Sequence, residues 1–270
     1  MDAISSTKNP FAQSLRSLKD RRGRDEQRAF LVEGPKLVAE ALDAGLAPLR
    51  AAYDEGALPR LSPLVEALRS RGADVRPARS HVIDAISDTL TPQGLCAAFS
   101  PPAPLDLASP PPLLVALDGV RDPGNVGAIW RVADAAGFHG LLLSADCADR
   151  HSPKVQRASM GSGLRLPAEV CQSLPGTLKD LAERGFAVIS AVLGGGDVYA
   201  RPQLAPPLVL VIGSEARGVS DEANAQSRYR LSLPMRGGAE SLNAAVAAGV
   251  LMYELTRGWP DAAFCAHAKN

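Results

Sequence analysis

The chain has 270 residues, 46% hydrophobic and 21% charged, with 24 Gly, 22 Pro and only 4% aromatic side chains; it is long enough for two compact domains and too apolar to stay disordered. Its 29 basic and 29 acidic side chains cancel, which excludes a protein that is basic all over but not a polyanionic partner, because attraction to nucleic acid depends on local charge. No uncharged stretch reaches 18 residues and the start, MDAISSTKNPF, lacks an apolar run, so a membrane span and a secretory signal are not expected.

In chain order, residues 8–28 come first, with seven basic residues against three acidic ones, and read as a basic helix. AFLVEG (29–34) reads as a strand. PKLVAEALDAG follows with Leu37, Val38, Ala41 and Leu42 at helical spacing, Pro35 in the first turn and Gly45 past the end. PLRAAY (48–53), LSPLVEALRSRG (61–72), ADVRPA (73–78), SHVIDAIS (80–87) and GLCAAF (94–99) continue the alternation, giving a small α/β domain over residues 1–99. Residues 100–112, SPPAPLDLASPPP, hold six prolines in thirteen positions; such a stretch can neither continue a helix nor supply a strand's donors, and reads as a linker.

A second domain, 113–270, follows. Its strands are LLVALDG (113–119), GLLLS (140–144), FAVISAV (186–192), PLVLVIG (207–213) and YRLSLP (229–234), with helices near 125–136, 175–184 and 241–257. Near-continuous apolar strands separated by helices point to a parallel sheet covered on both faces, whose ligands sit beyond the carboxyl ends of the strands.

Three loops leave such strand ends. In DGVRDPGNVGAIWR, Asn125 is placed to cap a helix, Gly127 permits close backbone approach, and Arg131 lies on the second turn. An ordinary cap and a solvated helix arginine account for these residues as well as a site does. In VIGSEARGVSDE, Gly213, Glu215 and Gly218 follow a fully apolar strand, and Glu215 is either a solvated loop-tip acid or a site carboxylate. In LSLPMRGGAESLNAAVAAGVLMYEL, Ser241 is a candidate cap for a helix rich in small residues, whose apolar stripe is Leu242, Val246, Gly249, Val250 and Tyr253. No dinucleotide G-x-G-x-x-G and no Walker motif is present. Cys96, Cys147, Cys171 and Cys265 form no C-x-x-C pair, and His81, His139, His151 and His267 are dispersed. That argues against a metal mechanism and fits a reducing cytoplasm.

Taken together, N-x-G-x-x-x-R at Asn125–Arg131, G-x-E-x-x-G at Gly213–Gly218 and P-M-x-G-x-x-E-S-L-N at Pro234–Asn243 resemble the three motifs of the SpoU/TrmH-type (SPOUT) RNA ribose 2′-O-methyltransferases. KVQRASMGSGLRLP (154–167) and the N-terminal stretch also resemble family segments, so the likeness covers residues 4–257. Ala216, Trp130 and Ala244-Ala245 depart from the usual wording. The resemblance implies an N-terminal substrate-binding domain, a catalytic domain with a trefoil knot, a homodimer, S-adenosyl-L-methionine as cofactor and RNA, most of all large-subunit ribosomal RNA, as substrate. Carried over by position, it implies a cofactor site around Ile212, Gly213, Gly218, Leu233, Met235 and Leu242, and a reaction site of Asn125, Arg131, Glu215, Ser241 and Asn243. RNA is expected to meet Arg21, Arg22, Arg24 and Arg28.

Moving a methyl from a sulfonium to a hydroxyl needs alignment more than a metal, and positioning alone can supply ~7–11 kcal/mol. A guanidinium stays protonated in proteins, so Arg131 suits a charge-stabilising role better than that of a base, leaving proton relay to Ser241, Asn243 or a phosphate oxygen. A non-catalytic RNA-binding protein on the same scaffold, a tRNA ribose methyltransferase and an unrelated nucleotide-dependent α/β enzyme are the competing readings.

Overall fold

The computed structural model describes residues 2–261 and residue 264; Cys265 and His267 lie outside the described residues, as does most of the tail 258–270. The chain forms two compact units, Met1–Pro102 with Asp149–Arg165, and Ala103–Ala148 with Leu166–Asn270. A single division at the proline-rich stretch does not account for Asp149–Arg165. This excursion leaves the second unit's chain, packs with the first and returns.

The elements are α1 (Pro10–Arg16), α2 (Arg21–Gln27), β1 (Phe30–Glu33), α3 (Pro35–Asp43), β2 (Pro48–Asp54), α4 (Leu58–Ser70), β3 (Asp74–Ala78), α5 (Ser80–Ile86) and β4 (Leu95–Phe99). Next come β5 (Leu113–Asp118), α6 (Pro123–Ala135), β6 (Gly140–Ser144), α7 (Pro153–Ser159), α8 (Ser162–Arg165), β7 (Ala168–Cys171) and α9 (Leu174–Glu183). The chain continues through β8 (Ala187–Asp197), β9 (Leu208–Gly213), α10 (Asp221–Asn224), β10 (Tyr229–Ser232) and α11 (Ala244–Leu255).

In the first unit the sheet order is β1-β4-β2-β3, with β4 antiparallel to β1 and β2, and β2 parallel to β3. Strand alternation sends Phe30, Val32, Leu95 and Phe99 to one core with Val38, Leu61, Val65 and Leu68. Leu31, Cys96 and Ala98 go to the opposite core with Leu15, Leu18, Val82 and Ile83. Leu164 of the excursion belongs to the first of these cores.

The second unit is a six-stranded sheet, β10-β8-β9-β5-β6-β7, parallel throughout. Its central strands β5 and β9 are buried almost end to end, as an apolar run covered on two faces requires. Trp130, fully buried on α6, donates its indole N–H to Leu166 O at 3.1 Å, so its aromatic ring is a core element with its one polar group satisfied. Among the described residues no helix is long and apolar enough to cross a membrane, and no His/Cys/Asp/Glu cluster could hold a metal.

Several sequence expectations are corrected. The basic segment forms two short helices, and part of its charge is paired. Arg21 pairs with Asp25 and Arg22 with Glu26. Arg24, only 7% exposed, donates to Leu18 O, Lys19 O and Asp149, so its guanidinium is engaged inside the first unit. Of the four arginines expected to meet RNA, only Arg28 is exposed with no hydrogen-bond or ionic partner among the described residues. The α6 cap is Asp122, whose Oδ1 accepts from Asn125 N at 2.8 Å, and α11 begins at Ala244 with Asn243 as its cap, so Ser241 does not cap it. The α11 stripe is also inverted: Ala244, Ala245, Ala248, Leu251, Met252 and Leu255 are buried, whereas Leu242, Val246, Val250 and Tyr253 are exposed.

Arg24–Asp149 is one of three ionic ties that hold the excursion within the first unit. Arg157 reaches Glu33 and Asp88, and Arg165 lies 3.7 Å from Glu40. Burial alone would raise the Asp149 carboxyl, but the hydrogen bonds from Arg24 and His151 N, with the Arg24 charge, carry it below the usual range. Next to it His151 packs on Phe30, ring centroids 5.1 Å apart, and its Nε2 accepts from Arg150 Nε at 3.1 Å. That bond needs a neutral ring. Burial, then the Arg150 charge, lowers the His151 pKa to about 4.

A group whose folded pKa is depressed binds more protons when unfolded, so its stabilisation holds above the unfolded value and is lost as pH falls toward the folded one. His151 therefore makes stability decline between about pH 6.5 and about pH 4, by roughly 2–4 kcal/mol. Urea unfolding at pH 7 and pH 4.5 should show this loss in the wild type and a smaller loss in His151→Phe. Equal losses in both proteins would show that the ring does not titrate on unfolding.

Candidate active site

The carboxyl ends of β8, β9 and β10 open onto a cavity of about 450 Å3, within the ~300–1,000 Å3 typical of small-molecule sites. One wall is the end of β9 and the turn after it. Ser214 O accepts from Gly218 N at 2.8 Å, and Ser214 Oγ accepts from Arg217 N at 3.2 Å, closing a tight loop around Glu215 and Ala216. Gly213 has to be glycine: a Cβ there would stand 2.0 Å from Gly218 C. Ser220 N donates to Asp118 Oδ2 at 2.7 Å, fastening the far side of the turn to the end of β5.

A second wall is Ala191–Leu193 with Leu231–Leu233. Here β10 shifts register against β8 between Arg230 and Leu231, and Gly195 lets the two strands touch, since its Cβ would meet Arg230 O at 2.7 Å. The third wall is the 234–243 loop and the first turns of α11, contributing Met235, Ser241, Leu242, Ala244 and Ala247. All six residues expected around a cofactor, Ile212, Gly213, Gly218, Leu233, Met235 and Leu242, line this one cavity, together with Glu215 and Ser241.

Asn125 joins the loops at the rim. Its Nδ2 donates to Glu215 Oε1, and its Oδ1 accepts from Asn243 Nδ2 at 2.9 Å. Asn243 Oδ1 in turn accepts from Ala245 N at 2.9 Å and Val246 N at 3.3 Å. Three strand-end loops far apart in sequence are thus tied by one chain of amide and carboxylate contacts. Asn125 is free for this because Asp122 does the capping. Both polar atoms of the Asn243 side chain are thus engaged, which fixes its plane.

Arg131 stands apart. It is exposed on α6, six residues and about 120° around the helix from Asn125, and its guanidinium has no hydrogen-bond or ionic partner among the described residues. Sequence reasoning missed Asp122 as the cap, Asp118 and Ser220 as fasteners, and Gly195 as the close-approach residue of the second wall. An N-cap aspartate before Pro-Gly was the readable signal for the first; the others depend on strand pairing.

Residues 112–253 match the SpoU rRNA Methylase family, and residues 9–97 match the MRM3-like substrate binding domain. The chain belongs to the SpoU rRNA methylase family. Among SpoU relatives, the 23S rRNA (guanosine(2553)-2′-O)-methyltransferase RlmP of Bacillus subtilis is 32% identical over 256 residues, covering 94% of this chain and 99% of that protein. The AdoMet-bound rRNA methyltransferase of Sinorhizobium meliloti superposes with a TM-score of 0.86 at 32% identity, covering 96% of this chain and 98% of its own. The SpoU methyltransferase AviRb of Streptomyces viridochromogenes, in complex with AdoMet, gives 0.78 at 30% identity over 93% and 98%. The α/β architecture with a separate N-terminal domain is thus that of SpoU enzymes, and the protein is an RNA methyltransferase of this family.

Removing the Asn125 side chain breaks two side-chain links, each worth ~0.5–1.5 kcal/mol. Asn125→Ala should therefore speed amide hydrogen exchange across Ser214–Val219 by roughly 5- to 100-fold while β5 keeps its protection. Unchanged exchange in that turn would show that Asn125 does not hold it.

Proposed function

We propose that the protein transfers a methyl group from S-adenosylmethionine to a ribose 2′-hydroxyl of large-subunit ribosomal RNA. The observation that carries this reading is the cavity lined by the second and third motif loops, to which Asn125 of the first is tied at the rim through Glu215 and Asn243. The B. subtilis RlmP relative, named for 2′-O-methylation of 23S rRNA and matched along nearly its whole length, supports the ribose and the ribosomal target. AdoMet in the S. meliloti and AviRb structures supports the cofactor.

The residues present fit that cofactor. The Ile212, Leu233, Met235, Leu242 and Leu251 side chains offer an apolar bed. The loop backbone between them supplies amide and carbonyl groups, and Gly213 keeps a side chain out of the turn. Bound there, S-adenosylmethionine supplies a methyl group already activated on a sulfonium. The chain's task is to orient the hydroxyl and offset the negative charge that grows on its oxygen.

Arg131, permanently charged and free to turn, offsets that charge and holds the adjoining phosphate. Among the described residues Glu215 is the only carboxylate lining the cavity. With its Oε1 fixed by Asn125, it orients the rim. The Ser241 hydroxyl, exposed at the cavity, passes the ribose proton outward.

The exposed face of α11 extends the reading to a homodimer. Leu242, Val246, Val250 and Tyr253 form an unpartnered apolar stripe, and Tyr253 OH reaches back to Ala135 O of α6 at 3.3 Å, placing the stripe beside the helix that carries Arg131. A second copy seated on this stripe would cover it and meet Arg131. Gly249 is not part of the stripe: its Cβ would lie 3.3 Å from Val132 Cγ1 of the same chain, so it serves the α6–α11 contact.

Single-turnover methylation of an unmodified 23S rRNA transcript, with ribose methylation mapped afterwards, tests the reaction. Arg131→Ala and Arg131→Lys should each lose about 10²–10³ in rate while binding S-adenosylmethionine as the wild type does. A wild-type rate in Arg131→Ala, or methylation at a base, would overturn the reading. Sedimentation tests the dimer: Val246→Glu with Val250→Glu should give a soluble, inactive monomer, and a wild type that is monomeric and active would remove the second copy from the site.

A further inference from the structure

Two cations flank the cavity that neither the motifs nor the reaction chemistry uses. Arg217 lines the cavity from the turn after β9. Its backbone is fixed, with N bonded to Ser214 Oγ and the next residue's N bonded to Ser214 O. Gly213 abuts the Gly218–Val219 backbone directly behind it. Arg236 sits on the opposite loop, next to the lining residue Met235. Both side chains are exposed, and among the described residues neither guanidinium has a hydrogen-bond or ionic partner.

This contrasts with four other exposed arginines of the second unit. Arg121 pairs with Asp146, Arg184 donates to Leu107 O and Ala108 O, Arg230 donates to Asn224 O, and Arg257 pairs with Glu254. Among the described residues none of the nearby acids forms an ion pair with either arginine. Glu215 is engaged by Asn125, Asp118 accepts from Ser220 N, and Glu240 on the 234–243 loop is exposed and unpaired among the described residues. An arginine with no partner on a turn whose backbone is braced is available to an anion, and its planar fork suits a phosphate without loop ordering on binding.

We propose that Arg217 and Arg236 form a cationic rim on either side of the cavity mouth that grips two phosphates of the RNA strand entering the site. The inference rests on the RNA methylation reading and extends it from the reacting ribose to the neighbouring backbone. The apolar walls suit the cofactor, while the exposed guanidiniums at the rim suit a phosphate backbone. The rim is thus a positioning surface: it sets where the strand lies without contacting the reacting atoms, and it reads backbone instead of sequence.

Filter binding of the 23S rRNA transcript over a range of salt, with calorimetry of S-adenosylmethionine binding, tests this. Each phosphate contact contributes about 0.7–0.9 to the slope of log K against log salt. Arg217→Ala and Arg236→Ala should each flatten the slope by about that amount and weaken RNA binding roughly fivefold at ~0.1 M salt. Both should raise KM for RNA with kcat unchanged and leave cofactor affinity as it was. Arg217→Lys, which keeps the charge, should keep the slope. An unchanged slope and KM in both alanine variants overturns the rim. Loss of cofactor affinity in Arg217→Ala with an unchanged RNA slope also overturns it, assigning the cation to the cofactor's carboxylate. A wild type that binds with the expected slope changes in the variants but methylates no ribose leaves the rim standing and removes the reaction reading.

Discussion

The site of this protein hangs on one side-chain amide. Asn125 donates to Glu215 with one atom and accepts from Asn243 with the other, and an amide is the smallest group that can do both at once in a fixed plane. The loops it joins are 90 and 118 residues away in sequence. Each loop is otherwise braced from its own side: the first by the Asp122 cap, the second by the Gly213–Gly218 closure and Asp118, the third by the Asn243 cap on α11. Without the amide the three walls would be rigid individually and unregistered collectively. A cavity whose lining comes from several strand ends needs such a joint more than it needs any single wall.

The parallel sheet was legible because β5, β6 and β9 are short apolar runs ended by Gly or polar residues, and burial on two faces leaves no other composition open. The motif residues were legible as a set through their resemblance to a family, while their individual roles were not. Asn125 read as a cap because it precedes a helix, yet Asp122 stands one turn earlier and takes the amide first. The stripe on α11 read as the core face because it carries the larger apolar residues. The structure buries the alanines instead, since α6 lies so close that Gly249 already approaches Val132, and only small residues fit that gap.

The basic segment illustrates a different limit. Counting charge along residues 8–28 finds an excess, but three of its four expected RNA-binding arginines are engaged, two by i,i+4 pairing and one by a long-range carboxylate. Asp149 lies 125 residues from Arg24, so nothing local could reveal the pairing. The excursion that carries Asp149 was itself hidden. Its helices are 7 and 4 residues long, and their buried faces include Gln156, Ser159 and Ser162, so hydrophobic periodicity is silent where the packing is in fact dense.

That excursion bears on how the protein is made. A nascent chain emerges from its amino end, and the first unit's strands are all present once Phe99 has been added. Its core is nonetheless short of Leu164, and Arg24 and Glu33 lack their counter-charges until Asp149 and Arg157 arrive. At synthesis rates of about 5–20 residues per second, the interval between Phe99 and Arg165 lasts roughly 3–13 s. During that time two buried charges have no mate and a hydrophobic face stands open. The amino-terminal unit therefore completes only after β5, α6 and β6 of its neighbour have been made, waiting on sequence that lies between that neighbour's strands.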